Sequence, residues 1–359
     1  MDIRHPASGG AEVYVHQLAK ALTSMGDRVI LISSWAQGLP NEEVIDGIHM
    51  IREGGRYTLY ILLPKIYVTR LKGEVDVVVD EYTTAPFMTP LFVRERKVLL
   101  VHLLAGERIP YETPARLRFL SRVFQRIEGR ILSIYRDIDV IAVSKSTAKE
   151  LISIGLKKVH VVEPGVEPTL YGWTHKHEVP LVLYFGRIVP YKGVVDAVLA
   201  FHKVSKELGD ARMIIAGKCS DDSFLNRIKG LLGQLGLTER VDIKLNVSEE
   251  EKRRLLESAW LLVLPSIKEG FNLVCLEAAA SGTPVIGYNV PGIRDAVLDG
   301  ETGILVPKKD VLELARTMKR ILVRDEEREL MKRKSREIAL KFTWQRTAEK
   351  FRSVILANE

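Results

Sequence analysis

Apolar residues recur at helical spacing across residues 11–23, and the short apolar run at 28–33 that follows is the length of a strand. Strand-like runs at 75–79, 97–101, 139–143 and 159–162 alternate with helical stretches, the pattern of a parallel sheet with crossovers. A second series has its strands at 181–185, 212–216, 241–245, 260–264 and 284–287, again separated by helical segments. Between the two series, the stretch from Pro164-Gly165 up to Pro180 is rich in Gly, His and Pro, and residues 169–179 within it read as a linker. The pattern therefore predicts an α/β protein with domains at 1–168 and 180–341. In the tail, 342–359, Trp344, Phe351, Val354 and Ile355 form one apolar helical stripe, which predicts a last helix packed on a neighbouring domain.

The length of 359 residues suits two cores better than one, and 46% hydrophobic with 28% charged residues excludes disordered and fibrous classes. The longest apolar runs are strand-length, so no membrane-spanning helix is expected. No apolar segment follows a basic start, so no secretory signal is expected and a cytoplasmic location is. Cys219 and Cys275 stand alone without CxxC spacing, which supports neither a disulfide framework nor a zinc site; no metal is expected. A net charge of +7 favours anionic partners, whether phosphate-rich ligands, nucleic acid or acidic lipid.

Ligands of open parallel sheets bind beyond the carboxyl ends of the strands, where helix N-termini present backbone N–H groups. Three segments fall there. The loop Gly186-Arg187-Ile188-Val189-Pro190-Tyr191-Lys192-Gly193 places two cations, Arg187 and Lys192, about a turn apart, suited to a diphosphate. In the second, Glu269 sits in a loop and Glu277 in a helix that begins near Asn272 and stops at Gly282. Both carboxylates can accept from hydroxyls, and paired hydroxyls belong to sugars. The N–H groups of Gly270, Phe271, Asn272 and Leu273 can cover a phosphate or a sugar hydroxyl. The third, Gly9 with Gly10 at the start of the first helix, allows close approach of a ligand to the backbone.

These blocks resemble the family-4 glycosyltransferases of GT-B fold, whose most specific mark is E-x7-E, here Glu269 to Glu277. Gly9-Gly10-Ala11-Glu12, Ala142-Val143-Ser144-Lys145-Ser146-Thr147, Phe185-Gly186-Arg187 with Lys192-Gly193, and Gly282-Thr283-Pro284 running on to Gly303-Ile304 agree in order along nearly the whole chain. The resemblance implies two Rossmann-like domains facing across a cleft, and a hexosyltransferase that retains anomeric configuration by front-face displacement. It implies no cofactor, a UDP- or GDP-linked sugar donor, and a glycan or lipid-linked acceptor. By the same resemblance Arg187 and Lys192 neutralise the diphosphate, Glu277 holds the ribose, and Glu269 with residues 270–273 holds the transferred sugar. His102, after the strand at 97–101, matches a family histidine near the reaction centre. Two departures stand out. Only residues 1–8 precede Gly9, so the first strand is short or missing, and Glu163-Pro164-Gly165-Val166-Glu167 stands where Asn-Gly-Val-Asp is usual.

Between Arg108 and Arg136 the chain has seven Arg against Glu112 and Glu128. Arg118, Arg122, Arg126 and Arg130 recur at four-residue spacing, one helical stripe that could dock on anionic lipid as a peripheral membrane contact. Two rivals share some of these features. A nucleic-acid-binding protein explains the basic stripe but leaves both glutamates without a role, so no nucleic acid is expected. A sugar-nucleotide epimerase on the same fold would bind the donor and need no acceptor.

Overall fold

The structure, a computed structural model, describes all residues except 7, 84, 105–122, 124–126, 174 and 358–359. It divides into two compact units, Met1–Gly165 with Trp344–Glu359, and Val166–Thr343.

The second unit is one six-stranded sheet in which β8 (Leu181–Phe185), β9 (Arg212–Gly217), β10 (Val241–Leu245), β11 (Leu261–Leu264), β12 (Val285–Tyr288) and β13 (Gly303–Val306) stand in the order β10-β9-β8-β11-β12-β13. Every pairing is parallel. Leu181, Val182, Leu183 and Tyr184 of β8 and all of β11 are buried, as expected of central strands covered by helices on both faces. The helix Val194–Ser205 turns Val194, Ala197, Val198, Phe201 and Val204 inward, and Val311–Val323 turns in Leu314, Met318 and Ile321. The chain leaves β8 in one direction toward β9 and β10 and returns to its other side at β11. The order thus reverses between β8 and β11, and that is where an open α/β sheet forms its ligand crevice. Residues 169–179 are tied into this unit. Lys176 Nζ donates to Ser281 O at 3.1 Å and Thr283 Oγ1 at 2.6 Å, and Trp260 Nε1 donates to His177 O at 2.7 Å.

The first unit has two sheets. One orders β1 (Ile30–Ser33), β2 (Glu42–Ile45) and β3 (Ile48–Arg52) as β1-β3-β2; the other is β4 (Val77–Tyr82), β5 (Arg96–Val101), β6 (Asp139–Ala142) and β7 (Val159–Val161) in sequence order. The hairpin from β2 to β3 escaped the sequence reading. Its turn, Asp46-Gly47, has φ of 53° and 81°, the double left-handed conformation that the twist of a two-residue hairpin selects. Among the described residues no strand precedes the helix Gly10–Ser24. Instead the buried Asp2 carboxylate accepts from Ser33 Oγ at 2.7 Å and Arg52 Nε at 2.6 Å. Burial works against its ionisation, but Arg52 and Ser33 outweigh burial and hold its pKa below the usual carboxylate value. The last helix, Trp344–Leu356, buries Phe351 and packs beside Gly10–Ser24, with the Trp344 ring 5.8 Å from that of Tyr14. No helix among the described residues is long and apolar enough to cross a membrane.

Candidate functional site

The loops leaving β8 and β11 carry the candidate residues of the second unit. After β8 the chain turns through Gly186 and Arg187 to a short turn at Pro190–Lys192, then enters the next helix at Gly193. The buried Tyr184 hydroxyl holds this loop from beneath, donating toward Arg187 O at 3.2 Å and Lys192 O at 3.4 Å. Gly193 has φ of 74°, and a Cβ there would lie 1.9 Å from Pro265 O, so only glycine lets the two loops touch. Gly292 plays the same part against Glu269, whose carbonyl oxygen would be 2.5 Å from an added Cβ.

Lys192 and Glu269 meet where these loops converge. Lys192 Nζ donates to both carboxylate oxygens of Glu269, at 2.6 and 2.7 Å, and Asn272 Nδ2 donates to Oε1 at 3.2 Å. Glu269 is 7% exposed, so its charge depends on that lysine for compensation. Asn272 also caps the helix Leu273–Ala280, accepting from Val274 N at 3.1 Å, and Gly282 follows its end at φ of 59°. Arg187 is exposed on the loop, and its guanidinium donates to the Tyr191 hydroxyl and lies 5.7 Å from the Tyr191 ring centre. Cys275, beneath the site, is fully enclosed, and burial pushes its thiol pKa up, so it offers no nucleophile.

Glu277 is engaged elsewhere. Its Oε1 accepts from Lys252 Nζ at 2.7 Å, and Oε2 is buried. Lys252 also meets Glu249 Oε2 at 2.6 Å. Tyr171 lies close by, its phenol pKa raised by burial and by the Glu277 charge. Sequence reasoning missed Lys252 and Tyr171. The available signal for Lys252 was its helical spacing to Leu255 and Leu256, which puts a lysine on the buried face of the helix Glu249–Ser258.

In the first unit Gly9 precedes the helix Gly10–Ser24, and Glu12 Oε2 accepts from Gly9 N at 2.8 Å. Gly9 is extended, with φ of −142°, and an added Cβ would meet only Glu12 Oε2 at 3.7 Å, so the local backbone does not itself require glycine there. His102 is buried after β5, its ring edge-on to Tyr14 at 5.3 Å, and Nε2 lies 3.2 Å from Glu81 Oε1. Burial opposes the Glu81 charge, and His102 outweighs it and holds the carboxyl pKa low. An Asp-x-Asp tripeptide that the sequence reading passed over, Asp137-Ile138-Asp139, is hydrogen-bonded within the unit: Asp139 with Arg96 at 3.1 Å and His160 at 2.9 Å, Asp137 with Lys157 at 3.1 Å. Of the arginine stripe, Arg118, Arg122 and Arg126 lie outside the described residues, and Arg130 is exposed.

Comparison with known proteins gives the class. Residues 8–170 match the profile of Glycosyltransferase Family 4 and residues 172–338 that of Glycosyl transferases group 1. The chain belongs to the family-4 glycosyltransferases and has their GT-B fold of two Rossmann-like domains. It is 27% identical over 390 residues to a D-inositol 3-phosphate glycosyltransferase of Xylanimonas cellulosilytica, covering 95% of this chain and 90% of the relative. It is 30% identical over 212 residues to a glycogen synthase of Mycobacterium tuberculosis, covering 58% and 50%. Among solved structures, a sucrose-phosphate synthase from Thermosynechococcus elongatus superimposes with a TM-score of 0.83 at 23% identity, covering 100% of this chain and 96% of the other. HepE of Anabaena, solved with UDP-glucose, gives 0.79 at 18% identity, covering 98% and 97%.

Proposed function

We propose that this glycosyltransferase moves a hexose, with retention at the anomeric carbon, from a nucleoside-diphosphate sugar to a hydroxyl of a glycan or lipid-linked acceptor. The observation that carries the reading is the convergence of Arg187, Lys192, Glu269 and Asn272 on the β8 and β11 loops at the reversal of strand order. Arg187 and Lys192 supply positive charge for the diphosphate, and Glu269 accepts from sugar hydroxyls. UDP-glucose bound to HepE, at the same fold, is in keeping with a UDP donor. Lys192 and Glu269 neutralise one another here, so a bound donor takes over part of each: its phosphate draws the ammonium, and its hydroxyls replace the ammonium at the carboxylate.

Catalysis then rests on stabilising the departing diphosphate and orienting the acceptor, with no side-chain nucleophile. In front-face displacement the donor C1–O bond breaks, its electron pair leaves with the diphosphate, and that phosphate takes the proton of the acceptor hydroxyl. Gly9, Gly10 and His102 of the first unit belong to this reading, with the glycines giving backbone access and His102 a polar contact for the sugar. The arginine stripe 118–130 would hold the enzyme on anionic lipid, an assignment that failure to float with anionic vesicles at low salt removes. Calorimetric titration with UDP, GDP and ADP tests the donor site. One nucleotide binds the wild type, and Arg187→Ala weakens it about tenfold or more. Binding of none of the three overturns the proposal, and scrambling of the anomeric product overturns retention.

A further inference from the structure

The three-stranded sheet of the first unit has a carboxyl edge of its own. β1 and β3 run parallel with Ser33 beside Arg52, so both strands end side by side, and the antiparallel β2 enters at the same edge with Glu42 opposite Ile51. A cavity of about 440 Å³ opens there, within the range of small-molecule sites. Its wall is made by Trp35 after β1, Asn41 and Glu42 at the start of β2, Arg52 and Glu53 at the end of β3, and Arg70 from the helical turn Tyr67–Leu71. Among the described residues, Gly9, Gly10 and His102 are not part of that wall.

These side chains are fixed and still within reach of a ligand. Trp35 N donates to Gly54 O at 2.8 Å and its indole Nε1 to Leu39 O at 2.8 Å, yet 42% of the residue is exposed. An indole tethered in this way, its N–H already satisfied, presents an apolar ring face. Arg52 makes a rigid part of the wall, its buried guanidinium meeting Asp2 Oδ2 at 2.6 Å, Glu43 Oε1 at 2.5 Å and Pro40 O at 2.9 Å. Arg70 donates to Glu42 and lies 3.3 Å from Glu53 Oε1, and all three side chains are partly exposed. Arg70 holds the Glu42 carboxyl below the usual carboxylate range, so Glu42 stays an acceptor. Each carboxylate has more lone pairs than one guanidinium fills and accepts from further hydroxyls. The lining charges cancel, Arg52 and Arg70 against Glu42 and Glu53, which fits a neutral ligand better than a phosphate or a cation. A pyranose is such a ligand, with C–H groups on one face and hydroxyls around its rim. We propose that the cavity is a sugar subsite, in which a pyranose unit of the acceptor stacks on Trp35 and bonds through its hydroxyls to Glu42, Glu53 and Arg70. None of the residues assigned to the reaction lines the cavity, so the unit held here is not the one that receives the hexose. The inference rests on the transferase reading above and goes further in committing the acceptor to a glycan of more than one sugar.

The test titrates the full chain with methyl glucoside, methyl mannoside and methyl galactoside and follows the indole N–H resonance of Trp35 by NMR, assigned by its loss in Trp35→Phe. At least one glycoside shifts that resonance in a saturable way. Saturation transfer to the same glycoside then gives its affinity: Trp35→Ala weakens it about tenfold, and Trp35→Phe, which keeps an aromatic face, restores most of it. Glu53→Gln weakens it about threefold. If Trp35→Ala does not fold, Glu42→Gln with Glu53→Gln carries the comparison. The inference is overturned if none of the three glycosides moves the Trp35 resonance, if their binding is as strong in the variants as in the wild type, or if inorganic phosphate moves the resonance in their place. Nucleoside-diphosphate binding, measured separately by calorimetry, is unchanged in every variant. If the wild type binds no nucleotide, it is the transferase reading that has failed, and the Trp35 resonance still decides whether the cavity takes a sugar.

Discussion

The two units answer the same topological problem differently. In the second, β8 sits at the centre of the sheet, hydrogen-bonded to β9 on one side and β11 on the other, and its exit loop carries Arg187 and Lys192. In the first, no strand among the described residues pairs with both β1 and β4. The two edge strands nevertheless share one apolar cluster, in which Ile30 and Ile32 of β1 and Val78 of β4 pack around Tyr67, Leu71 and Val93. Leu31 is half-buried, and Val79 is 40% exposed, more than a central strand allows. The buried Asp2 is bonded to Ser33 at the end of β1 and to Arg52 at the end of β3. A central strand therefore supplies two things at once, continuity of the sheet and a fixed exit for the loop that holds the ligand.

The glycines at the two exits show this most sharply, and they give the largest expected effect. Gly193→Ala forces a left-handed backbone on alanine and drives its Cβ to 1.9 Å from Pro265 O. Destabilisation of the second unit by about 3 kcal/mol or more follows, with loss of nucleotide binding. Gly9→Ala, extended and with its nearest neighbour at 3.7 Å, costs the first unit less than about 1 kcal/mol. Segment-resolved hydrogen exchange reads both. Equal losses of protection in the two variants would remove the contrast.

Next in size is chemistry. Lys192→Met leaves Glu269 buried without its cation and deprives the diphosphate of a charge, and transfer falls about a hundredfold. Glu269→Gln falls by a comparable factor, and the double variant is little worse than either single one, since the two groups act as a pair. Steady-state kinetics with the donor found by titration decides it; additive losses mean that the groups work independently.

Much of this was legible in the residues. Alternation of apolar runs with helical periods located β8 and β10 to the residue, and Asn272 and Gly282 bracketed the helix that carries Glu277. Three parts were not. The hairpin of β2 and β3 hides among charged residues, because β2 is a half-exposed edge with Glu42 and Glu43 and has no continuous apolar run. Asp-Gly at 46–47 was the signal for it. The strand β13 is only half apolar by burial, with Ile304 and Leu305 partly exposed at the sheet edge. The pairings of Lys192 with Glu269 and Lys252 with Glu277 join residues 77 and 25 positions apart, and no local pattern encodes which lysine reaches which glutamate.

The smallest expected effect is a difference in pH response between the units. Burial lowers the Lys176 pKa from 10.5 to about 7, whereas unfolded lysine keeps its proton up to the higher value. Between those two pH values the unfolded chain binds more protons than the folded one, so the stability of the second unit rises with pH across that window. In the first unit burial raises the Asp80 pKa above 3.8, despite donors from Phe87 N, Thr89 and Tyr135. The stability linked to Asp80 is complete below 3.8 and declines as pH rises through the folded value. The two groups therefore lean in opposite directions, Asp80 toward acid and Lys176 toward alkali. Lys176→Met flattens the alkaline rise in the second unit and leaves the first unchanged; exchange rates measured segment by segment from neutral to alkaline pH would sink the account if the rise persisted in that variant.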